Sequence, residues 1–308
     1  MKRAVSISIG SSKRDKKSEI NLLGEKVSLE RIGTDGDMEA AAMLYRDLDG
    51  KVDAFGVGGA DLGLSIDDHW YPLYSVSSLT RFVKITPVVD GHGLKLTLER
   101  HVADYLEKTI KPYLDEHGRR LFMTAGVDRW GMVKSFEEWN YQAVYGDLYL
   151  TLGIPIPLRS VSGLKRLAAI LVPVVSRLPF KWVYPVGESQ EKRTPKAVEH
   201  FRAATVIAGD CHYITRYMPD ELPGKIVVTN TTTEADVKLL KGAGVKYLVT
   251  STPVLEGRSF GTNMMEAALV AASGRVEPVD YRHATAYLKE VEGYLKKLKF
   301  EPQIRELN

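Results

Sequence analysis

The chain has 308 residues, 44% hydrophobic and 26% charged, with 42 basic against 39 acidic residues and a net charge of +3. That length predicts two domains with substantial cores, and the near-balanced charge gives no case for nucleic acid as a partner. A lone cysteine, Cys211, excludes an intrachain disulfide and a Cys-rich metal site, so no metal is expected and a reducing cytoplasm is the expected location.

Met1-Lys2-Arg3 passes directly into Ala4–Ile9, whose alternation predicts a first strand and is too short and polar for a signal peptide. Lys13-Arg14-Asp15-Lys16-Lys17 reads as a solvated loop, and Lys26–Ile32 as a second strand. Asp35-Gly36-Asp37 supplies an N-cap for a helix through Asp49, with Ala40, Ala41, Leu44 and Leu48 as its apolar stripe. Strands are predicted at Val52–Phe55 and Ile85–Val89, followed by one long helix over Leu94–Leu114. Glu116–Arg120 reads as a hinge.

Beyond it lie a strand at Leu121–Thr124, a helix near Ser135–Leu148 and an apolar, proline-rich insertion at 154–187. That insertion reads as a buried helix kinked at Pro173 or a flap, in preference to a basic amphipathic helix on a membrane surface. No run reaches the roughly 18 apolar residues that span a bilayer. Three short apolar runs follow, Ala204–Gly209, Lys225–Val228 and Lys246–Val249, each ending in a polar tip. They predict buried parallel strands. Helices are predicted at Glu234–Ala243, Asn263–Ala272 and Arg282–Leu298, and periodicity leaves open whether the last crosses back to the first lobe. The expected fold is α/β: a lobe over 1–118 and a Rossmann-like lobe over 119–308, with mostly parallel sheets flanked by helices and a ligand cleft between them.

In open α/β sheets, ligands bind beyond the carboxyl ends of the strands. The polar tips there are Asp210-Cys211-His212, Thr229-Asn230-Thr231 and Thr250-Ser251-Thr252. Asp210 and His212 are candidate acid–base groups; the threonines, Ser251 and Asn230 suit ligand hydroxyls or phosphate, although Thr232 or Thr233 also fits as a helix cap. Cys211 reads as a small buried hydrophobe rather than a nucleophile. The backbone at Gly56, Gly58 and Gly59 could cradle a phosphate and Asp61 could face a ligand, although a tight turn or bulge between two strands fits at least as well. Asp90, His92 and Lys95 sit between a strand and a helix, where backbone amides could hold a phosphate or carboxylate, Lys95 could add a charge and His92 could act as acid or base; a capped turn with a solvent-exposed His is the competing reading. Asp128 and Arg129 offer a carboxylate clamp or a structural ion pair. Arg258 stands before an apolar helix that carries Glu266 one turn in, again a candidate anion site.

Ile32–Asp37, Phe55–Leu62, Val88–Arg100, Thr151–Ser160 and Thr250–Asn263 together resemble bacterial proteins labelled quinate 5-dehydrogenases, over nearly the whole chain. The resemblance implies an oxidoreductase that uses NAD or NADP on a cyclic hydroxy acid such as quinate or shikimate. Asn230-Thr231-Thr232 echoes part of the Asn-Ala-Thr-Pro turn of such enzymes. Their lysine motif has no counterpart, so no catalytic residue carries over. The alternative expectation is a two-lobed protein or non-redox enzyme that binds an anionic small molecule at helix N-termini; a homo-oligomer is compatible with either.

Overall fold

The computed structural model describes residues 1–178, 193–252, 254–255 and 258–308, with the backbone alone at 254, 255, 258 and 259. The side chain of Arg258 and residues 179–187 of the expected insertion therefore lie outside the described residues. The chain folds as α/β into two compact units. One comprises Met1–Leu94, Ile170–Gln190 and Leu255–Phe300; the other comprises Lys95–Ala169, Glu191–Val254 and Glu301–Asn308. The division falls at Leu94/Lys95 instead of 118, and both helices after residue 260 group with the first unit.

The first unit is built on five strands: β1 (Lys2–Ser8), β2 (Lys16–Leu22), β3 (Glu25–Gly33), β4 (Ala54–Gly58) and β7 (Val88–Val89). They are ordered β2-β3-β1-β4-β7, all parallel except β2. A hairpin of β5 (Gly63–Ile66) and β6 (His69–Pro72) stands beside them. The expected basic loop is in fact the start of β2, an edge strand that exposes Lys16 and Lys17 while burying Ser18, Ile20 and Leu22. Charge on an edge strand opposes pairing with other chains.

The helix Met38–Leu48 is capped as expected: Asp37 Oδ1 accepts from Glu39 N at 3.0 Å and Ala40 N at 2.9 Å. Its buried stripe is Ala41, Ala42 and Tyr45, because the Tyr45 hydroxyl reaches the carbonyls of Ile7 and Gly56. The helix Thr262–Ser273 is buried from Met264 to Ala272 and packs on β1 and β4. Such all-round apolarity marks a core helix.

The second unit carries β8 (Arg120–Met123), β9 (Gln142–Tyr145), β10 (Val206–Ala208), β11 (Ile226–Thr229), β12 (Tyr247–Thr250) and β15 (Gln303–Glu306). The order is β15-β12-β11-β10-β8-β9, with β15 alone antiparallel. The chain leaves β8 toward β9, then returns to β10 on the other side of β8, so β8/β10 is the topological switch point. Phe122, Phe201, Ile207, Ile214, Met218, Val227, Leu240 and Leu248 form its core. Each such side chain contributes about 1.5–3 kcal/mol on burial.

The expected Leu94–Leu114 helix is broken into His92–Leu96, a 3-10 turn Leu98–His101, Val102–Thr109 and Lys111–His117. Pro112 lies in the first turn of the last piece, the place where a missing N–H is tolerated. The expected Ser135–Leu148 helix is the helix Trp130–Glu138 followed by β9. The insertion forms the helix Val161–Val175, which buries Leu164, Ala168 and Val172 and exposes Ile170 and Val174, so it is amphipathic rather than wholly buried. Among the described residues no helix is long and apolar enough to cross a membrane.

Candidate functional site at the carboxyl edge of the second sheet

Beyond β8 the chain runs through Thr124 and Gly126 into a 3-10 turn, Val127–Arg129; beyond β10 it turns at Gly209 and Asp210 into the helix Cys211–Tyr217. The two ends meet closely. Gly209 has φ +141°, and a Cβ on it would stand 2.1 Å from Thr124 Oγ1. Only glycine fits both the torsion and the space.

An ion-pair network spans the ends of the strands. Arg129 Nη1 donates to Glu99 Oε1 at 2.6 Å, and Nη2 donates to Asp210 Oδ2 at 2.8 Å. Asn230 Nδ2 donates to the same Asp210 oxygen at 3.0 Å, while Asn230 Oδ1 accepts from Thr229 Oγ1 at 3.0 Å. Lys95 Nζ donates to Asp128 Oδ1 at 2.6 Å. Burial is graded across this network: the side chains of Lys95, Glu99 and Arg129 are 5%, 1% and 4% exposed, whereas Asp128 and Asp210 are 31% and 27% exposed. Burial pushes the Glu99 carboxyl up, against the pull of Arg129 and Lys95. The two cations thus hold two part-exposed carboxylates in place. Arg129 is the hub of an internal ion pair, so the expected anion clamp is already occupied by protein carboxylates.

Thr250, Ser251 and Thr252 continue this edge from β12, with Ser251 N donating to Thr229 O and Thr252 N to Asn230 O. All three side chains are buried, at 4%, 0% and 1% exposure, and their hydroxyl oxygens have no hydrogen-bond partner among the described residues. Thr229 and Thr250 are register partners, so their side chains share a face of the sheet. Ser251 and Thr252 lie just beyond the strand, in a bend held by those two backbone bonds.

Helix-terminal amides, expected to hold anions, are taken up internally. The amides of Gly126 and Val127 donate to the buried Asp147 carboxylate at 2.9–3.0 Å. Burial outweighs these bonds and pushes its pKa up to about 6. Asp210 Oδ1 accepts from His212 N at 2.9 Å as the N-cap of its own helix, while His212 itself is exposed. Thr233 and Asp236 form a capping box on the helix Glu234–Gly242; Thr231, just before it, is half-buried. Cys211 is buried and its thiol is pushed well up by burial, as suits a packed hydrophobe.

The remaining expected residues belong to the first unit. Gly56 lies inside β4, where a Cβ would meet Asn263 O at 2.9 Å, so its missing side chain admits the helix Thr262–Ser273. Gly58 ends β4 and Gly59 follows; the chain then enters β5 through half-buried Asp61, with no helix on which to seat a phosphate. Asp90 accepts from Leu62 N at 2.6 Å and His92 N at 2.9 Å. His92 Nε2 lies 2.8 Å from Ser65 Oγ, and its ring packs edge-on against Trp70 and Tyr281, so it is a buried aromatic-cluster residue rather than a solvent-facing one. Glu266 accepts from Gly93 N, from Tyr281 at 2.9 Å and from Tyr287 at 2.5 Å; burial pushes its pKa up to about 6. The proposed acid–base set is therefore divided: Asp90 and His92 in the first unit, and Lys95, Asp210 and His212 in the second.

Glu99 and Asp147 were missed as site residues. The one signal for each is a carboxylate set in an apolar stretch, Leu96–Leu98 before Glu99 and Leu148–Leu150 after Asp147.

Residues 93–307 match the family model described as "Domain of unknown function (DUF8754)", and residues 3–90 match "Domain of unknown function (DUF8753)". The chain belongs to the DUF8754 family. No curated protein sequence matches it. Among solved structures it is similar to the malic enzyme of Entamoeba histolytica, at 13% identity and TM-score 0.40 over 99% of this chain and 64% of that one. It is similar also to the NAD-dependent malic enzyme of Thermotoga maritima, at 11% identity and TM-score 0.39 over 94% and 75% of the two chains. An ABC solute-binding protein of Burkholderia multivorans gives 12% identity and TM-score 0.35 over the whole of both chains. The chain thus spans 64% of the length of the Entamoeba enzyme.

Proposed function

We propose that this member of the DUF8754 family binds a small polar metabolite at the carboxyl edge of its second sheet. The observation that carries the reading is the set of buried hydroxyls of Thr250, Ser251 and Thr252 without hydrogen-bond partners among the described residues, beside the Asn230–Asp210–Arg129 network. A buried hydroxyl left unpaired costs about 1–3 kcal/mol, so a cluster of them is tolerated where a ligand supplies the missing bonds. The location supports the same reading, since the network bridges the β8/β10 switch point.

A second reading, oxidation of a cyclic hydroxy acid with NAD or NADP, is favoured by one contact. Lys95 Nζ and Asp128 Oδ1, 2.6 Å apart, form a pair able to pass a proton. The dinucleotide does not fit the glycine turns, however. The turn after β8 has its amides filled by Asp147, and the turn after β4 leads into a strand.

Thermal shift against D-ribose, D-arabinose, myo-inositol, quinate, NAD⁺ and NADP⁺ tests both readings. Binding to the native state alone raises stability by about 2.7 kcal/mol at a hundredfold excess over Kd. A shift from a polyhydroxy compound, lost in Asn230→Ala, is the expected result. A shift from the dinucleotides alone would replace this reading with the second, and silence throughout would remove it.

A further inference from the structure

We infer that the ligand of this edge is an uncharged polyhydroxy compound, a sugar or polyol without phosphate or carboxylate; the inference rests on the binding reading above. Two features of the edge oppose an anion, and a third suits a neutral ligand. Its two buried cations are already matched: Lys95 by Asp128, and Arg129 by Glu99, Asp210 and, at 3.3 Å, Asp128. Both cations are thus engaged with protein carboxylates rather than presented to an incoming anion. The helix-start amides that ordinarily hold phosphate are occupied by Asp147 at Gly126 and Val127, by Asp210 at His212, and by Thr233 and Asp236 in their capping box. The hydroxyls of Thr250 and Thr252, which have no hydrogen-bond partner among the described residues, are neutral and can both donate and accept.

The same groups suit a polyol. Asp128 and Asp210 are part-exposed acceptors whose orientation is fixed by Lys95, Arg129 and Asn230, and a ligand hydroxyl donates to such oxygens. Thr250 shares its sheet face with Thr229, whose hydroxyl holds Asn230, which in turn holds Asp210; Thr252 follows two residues beyond, its backbone amide donating to Asn230 O. Carboxylate acceptors and hydroxyl donors along one sheet edge complement vicinal hydroxyls, each of which gives one hydrogen bond and takes another. A site built to pair with hydroxyls discriminates strongly against compounds that lack them.

Isothermal titration of the full chain with matched pairs tests this: D-ribose against ribose 5-phosphate, myo-inositol against inositol 1-phosphate, and D-galactose against galacturonate. The neutral member of at least one pair is expected to bind about tenfold or more tightly than its charged partner. Thr252→Val, with its melting temperature checked first, is expected to weaken that neutral binding by about tenfold. Tighter or equal binding of the charged members overturns the inference and leaves the binding reading standing. Absence of heat from all six compounds overturns both.

Discussion

Arg129 bears more electrostatic weight than any other single residue of the candidate site. Its guanidinium pairs with Glu99 and Asp210 while itself buried. Removing one partner of a buried ion pair strands the others, at about 3–5 kcal/mol. Arg129→Ala is therefore expected to lose about that much stability in urea unfolding; a loss under about 1 kcal/mol would mean that the network is solvated and loosely held. Thr250→Val behaves in the opposite sense. Replacing a buried hydroxyl that has no partner among the described residues removes a desolvation cost, so the ligand-free protein is expected to be as stable or up to about 1 kcal/mol more stable. Destabilisation by more than that would show that the hydroxyl is bonded within the protein and would take away the main support for the site. Gly209→Ala should cost several kcal/mol, about the scale of an overpacked core plus a strained torsion, because a Cβ there lies 2.1 Å from Thr124 Oγ1.

The turns between strands and helices are each sealed by an internal carboxylate, and two of these carry a pH signature. Asp147 and Glu266 have pKa values of about 6, raised by burial from ordinary values of 3.8 and 4.5. Because folding raises them, the native protein binds protons more tightly than the unfolded chain. Their contribution is most favourable below about pH 4 and is lost as pH rises through about 6. Unfolding free energy followed between those values should fall with pH from this source, and Asp147→Asn should reduce the slope. An unchanged slope in the variant would mean that Asp147 titrates normally.

Much of this was legible. Apolar runs ending in polar tips located β10, β11 and β12, and Asp37 marked its helix start, because those signals are local. The ends of the strands were located as the polar edge, but the occupancy of their groups was not. Whether Arg129 faces a ligand or Glu99 depends on a residue 30 positions away. Gly56 reads as a phosphate turn until Asn263, far along the chain, is seen against it. β9 was lost because a four-residue strand, Gln142–Tyr145, alternates too briefly to distinguish it from the end of a helix.

At the scale of the molecule, the chain passes between its units several times, and the family matches meet at residues 90–93, beside the Leu94/Lys95 division. The last segment, β15, returns to the second unit and pairs antiparallel with β12 over four residue pairs from Tyr247↔Glu306 to Thr250↔Gln303. It covers the edge of the strand that ends at Thr250, just before Ser251 and Thr252. Truncation after Phe300 should bare that edge, lower the melting temperature and promote self-association. An unchanged melt would show β15 to be dispensable.

The central claim is that ligand is held by the ends of β8, β10, β11 and β12. Hydrogen-exchange mass spectrometry with and without millimolar D-ribose and myo-inositol tests it most directly. The account predicts slowed exchange in peptides over 124–130, 209–213, 229–232 and 250–252. Slowing confined to 56–63 or 90–93 would place the ligand on the first unit and contradict it.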